Sequence, residues 1–208
     1  MIAVVDYGMG NLHSVVKALE RAAGGEEVRL TSDASDVDAA ARAVLPGVGA
    51  FGDTMAGLSS RGLIPPLKRL FDDGRPFLGI CMGMQALYAA SEESPGVEGL
   101  GVIPATLRLL PSDKVKVPHM GWNALTFTQP NALFAGLESG AHVYFCHSYC
   151  ADLSDPSTTV ATSEHGMCFA AAVARGPICG TQFHPEKSQA VGLKILENFT
   201  HVPAAART

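Results

Sequence analysis

Gly79-Ile80-Cys81-Met82-Gly83-Met84-Gln85 is the stretch that decides the fold. Ahead of it, Arg75-Pro76-Phe77-Leu78-Gly79-Ile80 reads as a short buried strand. Behind it, Met82 to Ala90 is a run of good helix formers with an apolar face, which predicts a helix. A cysteine at such a junction, with glycine two residues to either side, fits a nucleophile elbow. The glycines remove side chains that would collide across a tight turn, and the nucleophile is left pointing out of it. A helix N-terminus behind it stabilises negative charge and offers free N–H groups to a developing oxyanion.

The residues before the elbow alternate strand and helix. Ile2 to Asp6 predicts a first strand, and Asn11 can cap a helix through Val15, Val16 and Leu19 to Gly24-Gly25. Glu27 to Thr31 and Ala43 to Leu45 predict strands, the latter ending at Pro46-Gly47-Val48-Gly49. Two helical stretches follow, Asp53 to Ser60 and Pro65 to Phe71. Such alternation gives a mostly parallel sheet flanked by helices, with the ligand site at the carboxyl ends of its strands. The loops Tyr7 to Gly10 and Pro46 to Phe51 therefore belong with Cys81 at one edge.

Past Gly96 the texture changes to short strands separated by turn residues. Leu107 to Leu109, Asn123 to Phe127, Val143 to Cys146, Thr159 to Thr162, Phe169 to Val173 and Ile178 to Phe183 read as strands. A hairpin is expected at Glu164-His165-Gly166, and a last helix from Ser188 to His201 buries Val191, Ile195, Leu196 and Phe199. The expectation is an α/β chain with an added antiparallel β portion in its C-terminal half. Residues 1–202 form one domain on this reading, and 203–208 a short tail.

Composition narrows the class. The chain has 208 residues, 47% of them hydrophobic and 17% charged, as expected of a globular protein with a sizeable core. No apolar run approaches the roughly 18 residues a membrane span needs. Met1 to Asp6 lacks the basic start of a signal peptide. Five cysteines at irregular spacings suggest reduced thiols and a cytoplasmic protein. Cys146 and Cys150 have no second pair to complete a zinc set, so no metal is expected. A net charge of −5 without a basic cluster argues against nucleic acid.

A catalytic cysteine needs a base, and the base needs an orienting group. Of seven histidines, His184 stands out, because it ends a predicted strand and precedes Pro185, which holds it extended. In extended chain, residues two apart face the same way at about 6.6 Å, so Glu186 falls on the side of His184. Cys81, His184 and Glu186 are the expected triad. In Pro46-Gly47-Val48-Gly49, two glycines past a strand let backbone N–H groups turn towards an oxyanion. Asp6-Tyr7-Gly8-Met9-Gly10-Asn11 hints at a dinucleotide fingerprint, but His13 stands where its third glycine belongs.

Gly79 to Gln85 together with Gln182-Phe-His-Pro-Glu-Lys-Ser188 resembles the class I, triad-type glutamine amidotransferases. More narrowly, Asp6 to Leu12, Pro46 to Phe51, Val117-Pro-His-Met-Gly-Trp-Asn123 and His147-Ser-Tyr149 are similar to the glutaminase subunits of imidazole glycerol phosphate synthase. The resemblance implies that Cys81 attacks the glutamine carboxamide, with His184 as acid and base and Glu186 orienting it. It implies an oxyanion hole from the Met82 N–H and one in the Gly47, Val48, Gly49 turn. Gly52, Gln85, Ser148 and Tyr149 would hold the amino-acid end of glutamine. No cofactor is implied. The implied partner is a (β/α)8-barrel cyclase, joined as a heterodimer that channels ammonia, with Gly10, Asn11, Trp122 and Lys187 at the interface. Cys146 departs from the family pattern, which has an aliphatic residue there.

Glutaminase subunits for anthranilate, GMP or pyridoxal phosphate synthesis are the nearest rivals, and Val117 to Asn123 speaks against them. A redox sensor built on the same cysteine would need neither His184 nor Glu186. A stand-alone hydrolase of γ-glutamyl peptides would turn over without a partner.

Overall fold

The computed structural model describes residues 1–153 and 156–205. Its centre is an eight-stranded sheet. β1 (Ile2–Val5), β2 (Val28–Thr31), β3 (Arg42–Gly47) and β4 (Phe77–Cys81) make the N-terminal half. Helices α1 (Leu12–Ala22), α2 (Ala34–Ala39), α3 (Phe51–Ser60) and α4 (Ile64–Asp72) connect them, and α5 (Met82–Gln85) follows β4 directly. The C-terminal half supplies β5 (Tyr88–Ser91), β6 (Ile103–Leu109), β7 (His119–Ala124), β8 (Thr126–Phe127), β9 (His142–His147) and β10 (Tyr149–Cys150). β11 (Thr159–Glu164), β12 (Cys168–Arg175), β13 (Ile178–Thr181) and α6 (Gln189–Thr200) complete it.

The strand order is β2-β1-β3-β4-β13-β12-β11-β8. The first five run parallel, and β13 through β8 are antiparallel. Two small sheets stand apart from it: β10-β6-β5, in which β10 and β6 are antiparallel and β6 and β5 parallel, and the antiparallel pair β7-β9. This is the expected class: a mostly parallel sheet with helices on its faces and antiparallel strands added late in the chain. The hairpin at Glu164-His165-Gly166 joins β11 to β12 as expected.

Both faces of the sheet are buried, as a parallel sheet requires. Ile2 and Val4 point into one apolar layer, under α1 and α6, with Val15, Leu19, Ile195 and Phe199. Ala3 and Val5 point into the other, under α2 to α5, with Leu45, Leu58, Leu67 and Met84. Each fully buried large side chain contributes about 1.5–3 kcal/mol relative to exposure. Asn11 takes the N-cap position of α1, but its carbonyl rather than its side chain accepts, from Val15 N–H at 3.3 Å.

Two local expectations fail, and one helix is added. The helix after Cys81 stops at Gln85, and Tyr88–Ser91 is a strand. Backbone partners from a later loop take over: Leu100 N–H donates to Ala86, Gly99 to Ala89 and Ile103 to Leu87. Asn123 to Phe127 is not one strand but the end of β7 and the start of β8, broken where Leu125 N–H turns to the Ala141 carbonyl. α2 was not anticipated, although Asp33 caps it by accepting from Ser35 N–H at 2.8 Å. In the tail, Ala205 N–H donates to the Gly74 carbonyl at 2.8 Å, and 206–208 lie outside the described residues. Among the described residues no helix is long and apolar enough to cross a membrane.

Candidate active site

β3 ends in Gly47 and β4 in Cys81, and these two are register partners at the carboxyl edge of the sheet. Cys81 sits at φ 53, ψ −106, a backbone conformation that residues with a side chain rarely adopt. The turn is possible because its flanks carry no Cβ. One on Gly83 would run into the Leu45 carbonyl, and one on Gly79 into the Gly83 carbonyl. The chain therefore reverses within one residue, and the cysteine projects at the head of α5.

It projects into a cavity of about 280 Å³. Val48, Gly49, Met82, Gln85, Ser148, Tyr149, His184 and Lys187 line it together with Cys81. His184 follows β13 and donates its N–H to the Tyr144 carbonyl at 2.9 Å. Its Nδ1 lies 2.8 Å from Glu186 Oε1, with both side chains buried. The pair meets by a route other than the extended one expected from sequence. His184 is extended at φ −99, ψ 98, but Pro185–Lys187 is a 3-10 turn that brings the Glu186 carboxylate back to the Nδ1 edge of the ring.

Burial pulls the His184 pKa down, but hydrogen bonds with Cys81 and with Glu186, and the charges of both, outweigh it and raise the imidazole to about 10. His184 is thus held as a cation between two acceptors. Glu186 Oε2 is buried with no hydrogen-bond partner among the described residues. Gln182 Nε2 approaches Cys81 Sγ at 3.7 Å, and the Cys146 carbonyl lies 3.8 Å from the same sulfur.

The remaining expected residues divide. Val48, Gly49, Met82, Gln85, Ser148 and Tyr149 line the cavity with Cys81. Gly47 lies one step behind, pressed so closely on Tyr7 and Met82 that a Cβ would stand 2.5 Å from the Tyr7 hydroxyl. Gly52 is not in the lining, and its N–H donates to Ser94 Oγ at 3.0 Å. Gln85 spends its amide hydrogens on the Tyr149 carbonyl at 3.0 Å and on Gln182 Oε1 at 2.9 Å, so only its oxygen is left to face a ligand.

Glu93 was missed. It lines the cavity and accepts from Phe51 N–H at 2.7 Å, capping α3. Nothing in Ser91-Glu92-Glu93-Ser94 marks one carboxylate over the other; only the β5 to β6 connection brings Glu93 round to the site.

Trp122 and Met120 stand on one face of β7, 47% and 62% exposed. The Trp122 ring meets Tyr144 edge-on at 6.1 Å, and Lys187 Nζ lies 5.8 Å from the centre of the same Tyr144 ring. A line of side chains thus runs from an exposed face to the cavity rim. The Gly8 to Asn11 loop is at the same edge: a Cβ on Gly10 would lie 3.9 Å from Gly47 Cα, and one on Gly49 2.5 Å from Met9 Cε. Asn11 is exposed. Among the described residues, no group of three or more His, Cys, Asp or Glu could hold a metal ion. A larger groove, about 820 Å³, opens at the opposite edge of the sheet, where its walls carry neither histidine nor cysteine.

The family model described as "Glutamine amidotransferase class-I" matches residues 3–202. The chain is 48% identical to "Imidazole glycerol phosphate synthase subunit HisH" of Syntrophotalea carbinolica, covering 96% of this chain and 98% of the relative. It is 46% identical to the protein of the same name from Moorella thermoacetica, over 95% and 93%. Among solved structures, PurLQS from Thermotoga maritima shares the fold, with a TM-score of 0.73 at 19% identity over 96% of this chain and 97% of that one. The chain belongs to the class I glutamine amidotransferases and, within them, to the HisH glutaminase subunits of imidazole glycerol phosphate synthase.

Proposed function

We propose that the chain hydrolyses glutamine to glutamate and ammonia through a thioester on Cys81, and passes the ammonia to a (β/α)8-barrel cyclase. The observation that carries this reading is that Cys81 and His184 line one cavity and Glu186 holds His184 Nδ1 at 2.8 Å, with the imidazole raised to about 10 between its two acceptors.

The steps follow from the roles. Cys81 Sγ attacks the side-chain amide carbon of glutamine, and the carbonyl oxygen becomes an oxyanion. The Met82 N–H and an N–H of the Gly47 to Gly49 turn receive it; loss of one such donor costs about 10²–10³ in rate. His184 gives a proton to the departing nitrogen, so the C–N bond breaks with ammonia rather than an amide anion as leaving group. The neutral imidazole then takes a proton from water as it attacks the thioester, and glutamate leaves with the sulfur restored. Glu186 holds Nδ1 and stabilises the imidazolium. Glu93, a carboxylate at the cavity wall, suits the α-ammonium of glutamine, with Gln85 Oε1, Ser148 and Tyr149 completing that end. Gly52 serves indirectly, by holding Ser94 next to Glu93.

The relatives' names point to imidazole glycerol phosphate synthase as the assembly. In it the ammonia would reach the cyclase and be used on a phosphoribulosyl-aminoimidazole carboxamide nucleotide, giving imidazole glycerol phosphate and an aminoimidazole carboxamide nucleotide in histidine biosynthesis. No metal or organic cofactor takes part, and the site of action is the cytoplasm. Gly10, Asn11, Trp122 and Lys187 face the barrel. The test is Cys81→Ala in the complex: glutamine-dependent synthesis is abolished while ammonia-dependent synthesis persists, because only the thioester step needs sulfur. Equal loss with both nitrogen sources would refute the assignment.

A further inference from the structure

His119 and His147 take no part in the steps above, yet both are buried, and His147 lines the cavity. They are register partners on β7 and β9, and their Nδ1 and Nε2 lie 3.0 Å apart. The direction of every hydrogen in this pair follows from its ends. A backbone carbonyl can only accept, so His147 Nδ1, 2.9 Å from the Tyr149 carbonyl, carries a hydrogen. Burial, opposed by that bond and aided by His119, His165 and His184, takes His147 down to about 3, so its Nε2 is bare. His119 Nδ1 must then donate to it. Burial, with His165 stacked on the ring, takes His119 to about 4, leaving its Nε2 bare as well. Asn123 Nδ2 stands 3.3 Å from that nitrogen and donates also to the Glu164 carbonyl at 2.8 Å. At the far end, the Tyr149 carbonyl accepts from Gln85, Gln85 donates to Gln182, and Gln182 to Cys81 Sγ.

We infer that Asn123, His119 and His147 are positioning residues for the glutaminase site: a one-way chain of N–H donors that fixes the Tyr149 carbonyl and, through Gln85 and Gln182, the Cys81 sulfur. The catalytic part of this rests on the reading of Cys81 given above. Each ring has one donor and one acceptor. Reversing His147 sets N–H against the His119 N–H and a lone pair against the Tyr149 carbonyl. Reversing His119 sets N–H against the Asn123 amide hydrogens and a lone pair against that of His147 Nε2. No second arrangement of these hydrogens satisfies the buried groups, so the chain holds the Tyr149 carbonyl in one hydrogen-bonded setting. β7 also carries the exposed Met120 and Trp122, so a partner seated on that strand bears on the far end of the chain.

The experiment has two arms. In the full-length protein labelled with 15N-histidine, long-range 1H–15N spectra at pH 7 should show both His119 and His147 as neutral Nδ1–H tautomers. An Nε2–H tautomer or a cation on either ring overturns the chain, whether or not glutamine is hydrolysed. The second arm compares His119→Asn, whose amide NH2 can stand where Nδ1 stood, with His119→Leu, which leaves His147 Nε2 without a donor. In the complex with the cyclase, His119→Leu should raise KM for glutamine about tenfold and His119→Asn should recover most of that. Equal KM in the two variants would make His119 a packing residue and overturn the inference. A wild-type complex that does not hydrolyse glutamine defeats the glutaminase reading, and the tautomers then decide the donor chain alone.

Discussion

Glu93 places a carboxylate oxygen 2.7 Å from the Phe51 backbone nitrogen, so one side chain both caps α3 and faces the cavity of Cys81. The cap explains its fixed position, and the charge suits a substrate ammonium. Glu93→Gln should therefore raise KM for glutamine by about tenfold, since hydrogen bonds to charged groups are worth about 1.5–3 kcal/mol, with a smaller change in kcat. Steady-state glutaminase assays of the complex check this. An unchanged KM would remove Glu93 from the substrate site.

The pKa of His184 is raised from 6.5 to about 10, with burial opposing the shift and the bonds to Cys81 and Glu186 overriding it. The folded state therefore binds the proton more tightly than the unfolded chain. The stabilisation is fully present below about pH 6.5 and is lost progressively as pH rises towards about 10. His184→Asn keeps an N–H donor for Glu186 but does not titrate. The stability advantage of the wild type over this variant should shrink from pH 7 to pH 10, measured by urea denaturation. An advantage that grows with pH contradicts the assignment.

Gly83 touches the Leu45 carbonyl so closely that no Cβ fits. Gly83→Ala must push α5 away from β3 or bend the elbow, at a cost of about 3 kcal/mol. Thermal denaturation should show the loss, and alkylation of Cys81 should change with it. A variant as stable as the wild type would mean that the turn is not held by this contact.

Trp122 is exposed and joined through Tyr144 to Lys187 at the cavity rim. Aromatic residues of this kind dominate interface energies. Trp122→Ala should weaken cyclase binding by about 30-fold, the equivalent of about 2 kcal/mol. It should also raise the ratio of glutamate formed to cyclase product more than it lowers hydrolysis. Titration calorimetry and a two-product assay test both parts, and unchanged affinity would free Trp122 from the interface.

Much was legible in the chain because it is written in local chemistry. The elbow is spelled by two glycines around Cys81, the parallel half by alternating apolar runs and helix periods, and the base by a histidine before proline. These signals depend on sterics within a few residues, so no distant contact has to be known. Tertiary structure decided the rest, where distant groups compete for the same backbone. Tyr88 to Ala90 continue a run of helix formers, yet fall in β5 because residues of the 99–103 loop and β6 supply hydrogen bonds that the helix would have made internally. Glu186 reaches His184 by a 3-10 turn rather than along a strand, since Pro185 and the Ser188 hydroxyl on the His184 carbonyl at 2.6 Å close that turn. Glu93 and the His119–His147 pair come to the cavity only through strand order, β5 beside β6 and β7 beside β9. Strand order is settled by packing across the whole molecule, and no short stretch of sequence carries it.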